Sequence, residues 1–229
     1  MRQTTLLLSL TFLIATALFT ACDKEPKEET PEKEPIGSTD TTSTTTVGTG
    51  TIINGIMWST RNIDAPGTFV AKPENLGMLY QFGQSVGWSS TDPIKCSKEG
   101  TVWKDLDKVY GDWVDDPSPE GWRLPTTLEL QSLCDEEKVT REWTSLNGVS
   151  GMKFTDKTNG NSIFLPAAGH RNYYKGELGQ VGGTCFYWSR TRNAVSEYSA
   201  WGAIYRELGV LPDNSNLCGF GRSLRPVAE

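Results

Sequence analysis

Three short runs in the C-terminal half constrain the fold more than any other part of the chain. They are Gly121-Trp122-Arg123-Leu124-Pro125-Thr126, Leu165-Pro166-Ala167-Ala168-Gly169-His170-Arg171, and Tyr187-Trp188-Ser189 together with Ser223-Leu224-Arg225-Pro226-Val227. Gly and Pro set the path of the backbone, while Trp, Leu and Arg fill space. Such runs build a framework that holds loops. Residues of these kinds set chain path and packing rather than do chemistry, so the expectation is a scaffold that holds a loop surface, not a reaction centre.

The start of the chain reads as an export signal. Arg2 supplies a small positive region, and Leu6 to Ala21 is nearly uncharged and rich in Leu, Ala and Phe, too short for a comfortable bilayer span. The segment ends Phe19-Thr20-Ala21-Cys22, which is similar to a bacterial lipobox; the other reading is an ordinary signal peptide with an incidental Cys. Residues 1–21 are expected to be the signal and Cys22 the lipidated residue, with acyl chains enough for stable attachment to a membrane. From there to residue 47 the chain is first acidic and Pro-rich, then Ser/Thr-rich. Too little apolar surface is present to offset the entropy of ordering, so 22–47 is expected to be a disordered tether. Asp23-Lys24-Glu25 is similar to the charged run that sends some Bacteroidetes lipoproteins to the outer face of the outer membrane, and it suits a plain spacer equally well.

Residues 48–229 are long enough for one domain with a sizeable core. The chain's net charge of −6 and a mildly acidic domain without basic clusters argue against nucleic acid as a partner. The domain holds Cys96, Cys134, Cys185 and Cys218. Outside the cytoplasm an even number suggests two disulfides, for which three pairings exist. Cys185–Cys218 is the favoured pair, because both lie just before strands expected to be neighbours. No CxxC is present and His170 is the single His, which argues against structural zinc.

Short apolar segments alternate with turn residues through the domain. Thr51 to Trp58 reads as a hairpin around Asn54-Gly55, a dipeptide that tolerates positive φ. Leu76 to Phe82 suits a short first helix, with Leu76, Leu79 and Tyr80 on one side. Thr126-Thr127-Leu128-Glu129 matches a capping box and predicts a second helix to about Lys138, with Leu130 and Leu133 inward. Met152 to Leu165 reads as a hairpin turning at Asn159-Gly160. Phe186–Ser189, Ala200–Arg206 and Gly221–Val227 are the remaining strand candidates. Two short helices among many short strands make an α+β domain.

The ordered series of motifs resembles the family called the Fibrobacter succinogenes major paralogous domain. The carrying residues are Met57-Trp58 with Asn62, Gly77-x-Leu79-Tyr80, the Gly121–Thr126 run with Glu129, Leu165–Gly169 with Arg171, Tyr187-Trp188-Ser189 and Arg225-Pro226-Val227. The resemblance covers about residues 50–229. It implies a C-type-lectin-like fold: end strands paired, two short helices flanking a small, mostly antiparallel and irregular sheet, and a loop surface in the C-terminal half. Trp122, Leu124, Leu165, Trp188 and Arg225 are then framework, and Arg123, Arg171 and Arg225 suit pairing with buried carboxylates such as Glu129. Members are common on exported proteins and few have an assigned activity.

Catalysis finds little support in the residues. A triad would have to use His170, inside a run that looks structural. Formylglycine-type oxidation needs a reactive cysteine pair, and Cys185 with Cys218 is more simply a disulfide. Five Asp fall between 105 and 116, which is more often a solvated loop than a pair of acids for glycoside hydrolysis. That loop fails EF-hand spacing, since Val109 and Tyr110 stand where an oxygen ligand and Gly belong, and Pro73-Glu74-Asn75 has the lectin sugar triplet in the wrong order. No cofactor is expected, with calcium the one ion left to consider.

The expected ligand surface is 190–217: Arg190, Arg192, Asn193, Glu197, Tyr198, Trp201, Tyr205, Arg206, Asp213 and Asn214. Tyr, Trp, Arg and Asn supply rigid contact area and adaptable hydrogen bonds. The expectation is a surface-exposed outer-membrane lipoprotein, not an enzyme, acting as an adhesin or receptor for a glycan or protein ligand. A structural or tip subunit of a surface assembly is the alternative, and a formylglycine-generating type of enzyme a more distant one.

Overall fold

The computed structural model describes residues 50–106, 113 and 115–229; the signal segment, Cys22, the tether, Asp107 and Asp112 lie outside these. Asn54 and Gly55, at φ 49° and 77°, close a tight hairpin between β1 (Gly50–Ile53) and β2 (Ile56–Ser59), as their dipeptide predicts. A small ladder of β3 (Leu79–Tyr80) and β4 (Gly87–Trp88) follows, then β5 (Trp122–Arg123) and the helix α1 (Thr127–Ser132). Next come the meander β6 (Val139–Leu146), β7 (Val149–Asp156) and β8 (Ser162–Pro166), and the pair β9 (His170–Arg171) and β10 (Leu178–Gly179). A second meander, β11 (Cys185–Arg192), β12 (Ser199–Arg206) and β13 (Gly209–Leu217), precedes β14 (Val227–Ala228). The last strand returns to lie between β2 and β5, in the order β1-β2-β14-β5. Both ends of the domain therefore meet in one antiparallel sheet.

The domain is nearly all β, which corrects the expected α+β, C-type-lectin-like arrangement with two flanking helices: among the described residues one helix of six residues stands among several small antiparallel sheets. The segment 76–82 is not helical because Gly77 sits at φ 73°, outside the helical region, and its neighbours are pledged elsewhere. Met78 N donates to Ile63 O (3.2 Å), Phe82 N to Cys218 O (3.0 Å), and Tyr80 exchanges both backbone bonds with Arg222 (2.8 and 2.9 Å). Leu79 and Tyr80 are buried on two sides, so their apolar spacing carried no helical period. α1 also stops at Ser132, well before Lys138, because Val139 opens β6.

Side-chain alternation along β11 and β12 divides the core in two. Tyr187, Ala203 and Tyr205 join Ile53, Trp58, Leu130, Phe154 and Leu165 on one face. Trp188 and Ala200 join Ile63, Tyr80, Phe82, Leu124 and Leu224 on the other. Two buried arginines tie segments across this core. Arg225 donates from Nε to Asn62 Oδ1 (2.9 Å), from Nη1 to Ser59 O (3.2 Å) and from Nη2 to Phe164 O (2.9 Å). Arg171 donates to Ser89 O and Thr91 O (both 2.8 Å), to Gly176 O, and to Asp92 Oδ1 at 3.3 Å. Backbone carbonyls, more than the expected carboxylates, receive these guanidinium groups.

The expected Cys185–Cys218 bridge is not formed: among the described residues Cys96, Cys134, Cys185 and Cys218 make no disulfide. Cys185 pairs with Tyr205 on β12, whereas Cys218 N donates to Tyr198 O (2.9 Å) at the other end of that strand. Seven residues of extended chain, at about 3.3 Å each, hold the two sulfurs far beyond disulfide reach. The Cys185 thiol, whose pKa burial pushes up to about 12, donates to Leu165 O (3.2 Å).

Asp156, at the end of β7, is 3% exposed and accepts from Asn54 N (2.7 Å), Thr158 N (2.7 Å) and Asn159 N (3.3 Å). These amides, Asn54 first, hold its carboxyl below the ordinary value of 3.8. A depressed folded pKa contributes stability that is complete above the unfolded value and disappears as pH falls through the folded one. Asp156→Asn is therefore expected to flatten the decline of Tm between about pH 4 and pH 2. An acid limb as steep in the variant as in the parent would contradict this role.

Candidate functional site

α1 is held from its first residue. The Thr126 hydroxyl accepts from Glu129 N (3.2 Å) and the Glu129 carboxylate accepts from Thr126 N (2.7 Å), completing the capping box read in the sequence. Arg123 grips the same carboxylate through two bonds of 2.9 and 2.6 Å. Burial pushes the Glu129 carboxyl up, but the Arg123 and Thr126 bonds outweigh it and hold the group below its usual range. Thr127 N then donates to Thr191 Oγ1 (3.2 Å), and the Thr127 and Ser189 hydroxyls share a bond of 3.2 Å. Ser189 in turn donates to Trp201 O (2.7 Å), so helix and meander form one rigid unit.

Between α1 and the β11-β12-β13 sheet lies a cleft of about 260 Å³, lined by Thr127, Gln131, Thr191, Trp201 and Asp213. Trp201 is half-buried, Asp213 is exposed, and hydroxyls and an amide complete the wall. A larger hollow of about 480 Å³ lies over β6-β7-β8, lined by Glu142, Thr144, Lys153 and Phe164 among others, but no Trp or Tyr ring borders it. Of these two, the smaller cleft is the one that sets an indole beside convergent polar groups.

Of the ten expected site residues, the cleft unites Trp201 and Asp213. Arg190 and Arg192 are exposed on β11, on either side of the cleft residue Thr191, and Arg206 is exposed at the far end of β12. Glu197 and Tyr198 lie exposed in the turn between β11 and β12. Tyr205 is core instead of surface: it is fully buried, donates to Leu130 O (3.2 Å) and meets Phe154 edge-on at 5.0 Å. Asn193 is also internal, donating to Ser215 Oγ (2.9 Å) and accepting from Val195 N (2.9 Å). Asn214 faces away from the cleft, because it pairs with Gly202 while Trp201 pairs with Ser215. Thr127, Gln131 and Thr191 were not anticipated. The signal for the first two was available, since they are four apart on a helix whose Leu130 points inward.

The other candidate groups are engaged structurally. Asp116 accepts from Ser118 N and Leu124 N (both 2.9 Å), and Glu74 accepts from Asn147 Nδ2 (2.9 Å). Among the described residues no three His, Cys, Asp or Glu side chains gather where they could hold a metal ion. His170 packs edge-on against Phe186 (4.8 Å) and Phe220 (5.2 Å), and burial, followed by the charge of Arg222, pushes its pKa down. Among the described residues no helix is long and apolar enough to cross a membrane. Compared with protein-family models, with curated proteins and with solved structures, the chain matches none.

Proposed function

We propose that the domain is a non-catalytic binding module that holds a single sugar ring of a glycan in the cleft between α1, β12 and β13. Its placement on a lipid-anchored chain at the cell surface, through Cys22, and its likeness to the Fibrobacter succinogenes major paralogous domain belong to the same proposal. The observation that carries the reading is Trp201, half-buried at a small cleft whose other walls are a carboxylate, an amide and two hydroxyls. An indole face packs against the apolar face of a sugar, and Asp213, Gln131, Thr127 and Thr191 supply acceptors and donors for its hydroxyls. At about 260 Å³ the cleft falls just under the range of about 300–1,000 Å³ typical of drug-sized ligands, which favours one ring over a long chain. The buried, high-pKa thiol of Cys185 is unsuited to formylglycine-type chemistry, which needs a reactive thiolate.

The test is a glycan array probed with the purified protein, in calcium and in chelator, followed by titration of the best hit. Trp201→Ala is expected to weaken binding by about 30- to 100-fold, the usual cost of truncating an aromatic anchor, with little change in Tm. An intact protein that retains no glycan, or a Trp201→Ala variant that binds as well as the parent, overturns the reading.

A further inference from the structure

The sheet face opposite the cleft carries a third buried arginine, and it is unlike the other two. Arg222 is 1% exposed, yet its Nε and Nη1 have no hydrogen-bond partner. Its Nη2 makes one bond, at 3.4 Å, to Asn214 Oδ1. A guanidinium has one N–H on Nε and two on each terminal nitrogen, so four of its five donors are left over. Arg171 and Arg225, just as buried, donate from every nitrogen. Burial alone pushes Arg222 down to about 9, still charged at neutral pH.

The surroundings are arranged for the cation and not for its hydrogen bonds. The guanidinium carbon stands 4.2 Å from the centre of the Trp188 ring and 5.3 Å from that of Phe186. Trp188 is itself pinned by its indole N–H to Tyr80 O (2.9 Å). Position 202 has no side chain, and a Cβ there would lie 3.1 Å from Nη1. A second orphan shares the Phe186 ring: His170 Nδ1 is buried and also lacks a partner. Asn214, which accepts from Arg222, and His170 are both half-buried.

We propose that Arg222, with His170 and Asn214 beside it, is a receptor for a small monovalent carboxylate. The charge to be matched is one, and the free donors lie in a single plane. A planar carboxylate accepts from such a set without leaving surplus charge buried, which a dianion would do. This site is on the opposite side of β12 from the sugar cleft and stands or falls separately from it.

The test is thermal melting of the full chain at pH 7 in sodium acetate and in sodium chloride of equal ionic strength. Acetate at ten times its dissociation constant is expected to raise Tm by about 3–5 °C over chloride, in a saturable way. The Asn214→Asp variant places a carboxylate where Oδ1 now meets Nη2. It is expected to melt higher than the parent in chloride and to lose the acetate response. Repeating the melts in glucuronate separates the sources: an equal shift assigns the site to acids carried on a sugar, and a shift with acetate alone assigns it to small free acids. Identical melting of the parent in acetate and chloride, or an Asn214→Asp variant as responsive as the parent, overturns the proposal.

Discussion

An Arg225→Met domain is expected to lose about 3–5 kcal/mol of stability, close to the whole margin of a typical domain. The side chain is fully buried and is the shared donor for Asn62 Oδ1, Ser59 O and Phe164 O. Met fills much of the same volume, so the hydrophobic contribution changes little. What changes is that Ser59 O and Phe164 O lose their buried donor, at about 1–3 kcal/mol each, while Asn62 Oδ1 keeps only the Tyr187 hydroxyl (3.1 Å); the loss is partly offset because a charge no longer has to be desolvated. The three acceptors lie at the end of β2, in the loop after it and on β8, so the loss uncouples two sheets. Lys in the same place has one ammonium instead of a planar fork and is expected to restore only part of the loss. Urea unfolding measures this directly. A midpoint for Arg225→Met within error of the parent would show that the network contributes nothing net.

Gly77→Ala is expected to cost about 3 kcal/mol or more, and the informative quantity is its excess over Gly55→Ala. Both glycines have φ near the same value, 73° and 77°, so both substitutions pay a similar conformational cost of about 1 kcal/mol. At Gly55 the new Cβ meets nothing within 4 Å, whereas at Gly77 it falls 2.3 Å from Ile63 O. That carbonyl cannot withdraw freely, because it already accepts from Met78 N (3.2 Å) and Ile63 N is itself bonded to Leu224 O (3.1 Å). The backbone must shift, and the shift propagates to Tyr80 and its paired bonds with Arg222. Equal destabilisation of the two variants in the same urea titration would contradict the close approach.

The same residue explains part of what could be read from the chain and what could not. Turns announce themselves: Asn54-Gly55 and Asn159-Gly160 mark the hairpins they were expected to mark, and Thr126 with Glu129 marks the helix start. Asn147-Gly148, at φ 49° and 84°, carries the same signal and closes β6 on β7, so that hairpin was legible and went unread. Gly77 belongs to a family-like motif but also falls within an apolar spacing, and spacing alone does not distinguish a helix face from a short strand buried on both sides. β13 was harder, since Gly, Pro, Asp and Asn are poor strand residues and only the ladder with β12 makes them extended.

The site was half legible for a related reason. Trp201 and Tyr205 lie on the same face of β12, and local sequence treats them alike. Tyr205 lies under Leu130 within α1, whereas Trp201 lies by Thr127, where the helix begins and its cover ends. Whether an aromatic residue is core or platform is thus decided by the start of an element seventy residues away. The disulfide expectation failed similarly, because neighbouring strands say nothing about how far along them two cysteines fall.

The alternation in the β11-β12-β13 sheet also bears on how such a domain diversifies. Trp201, Asp213 and Thr191 border the cleft beside α1, while Gly202 and Asn214, one position away, pack over Arg222. Specificity on the cleft side can therefore drift by substitution at every second residue while the rest of the strand goes on holding the framework. Length cannot drift in the same way, since one residue inserted in β12 would present Trp201 to Arg222 and Gly202 to the cleft. Lineages of this domain should record a history of exchanges at fixed length here, with insertions confined to the turns at 193–198 and 207–208.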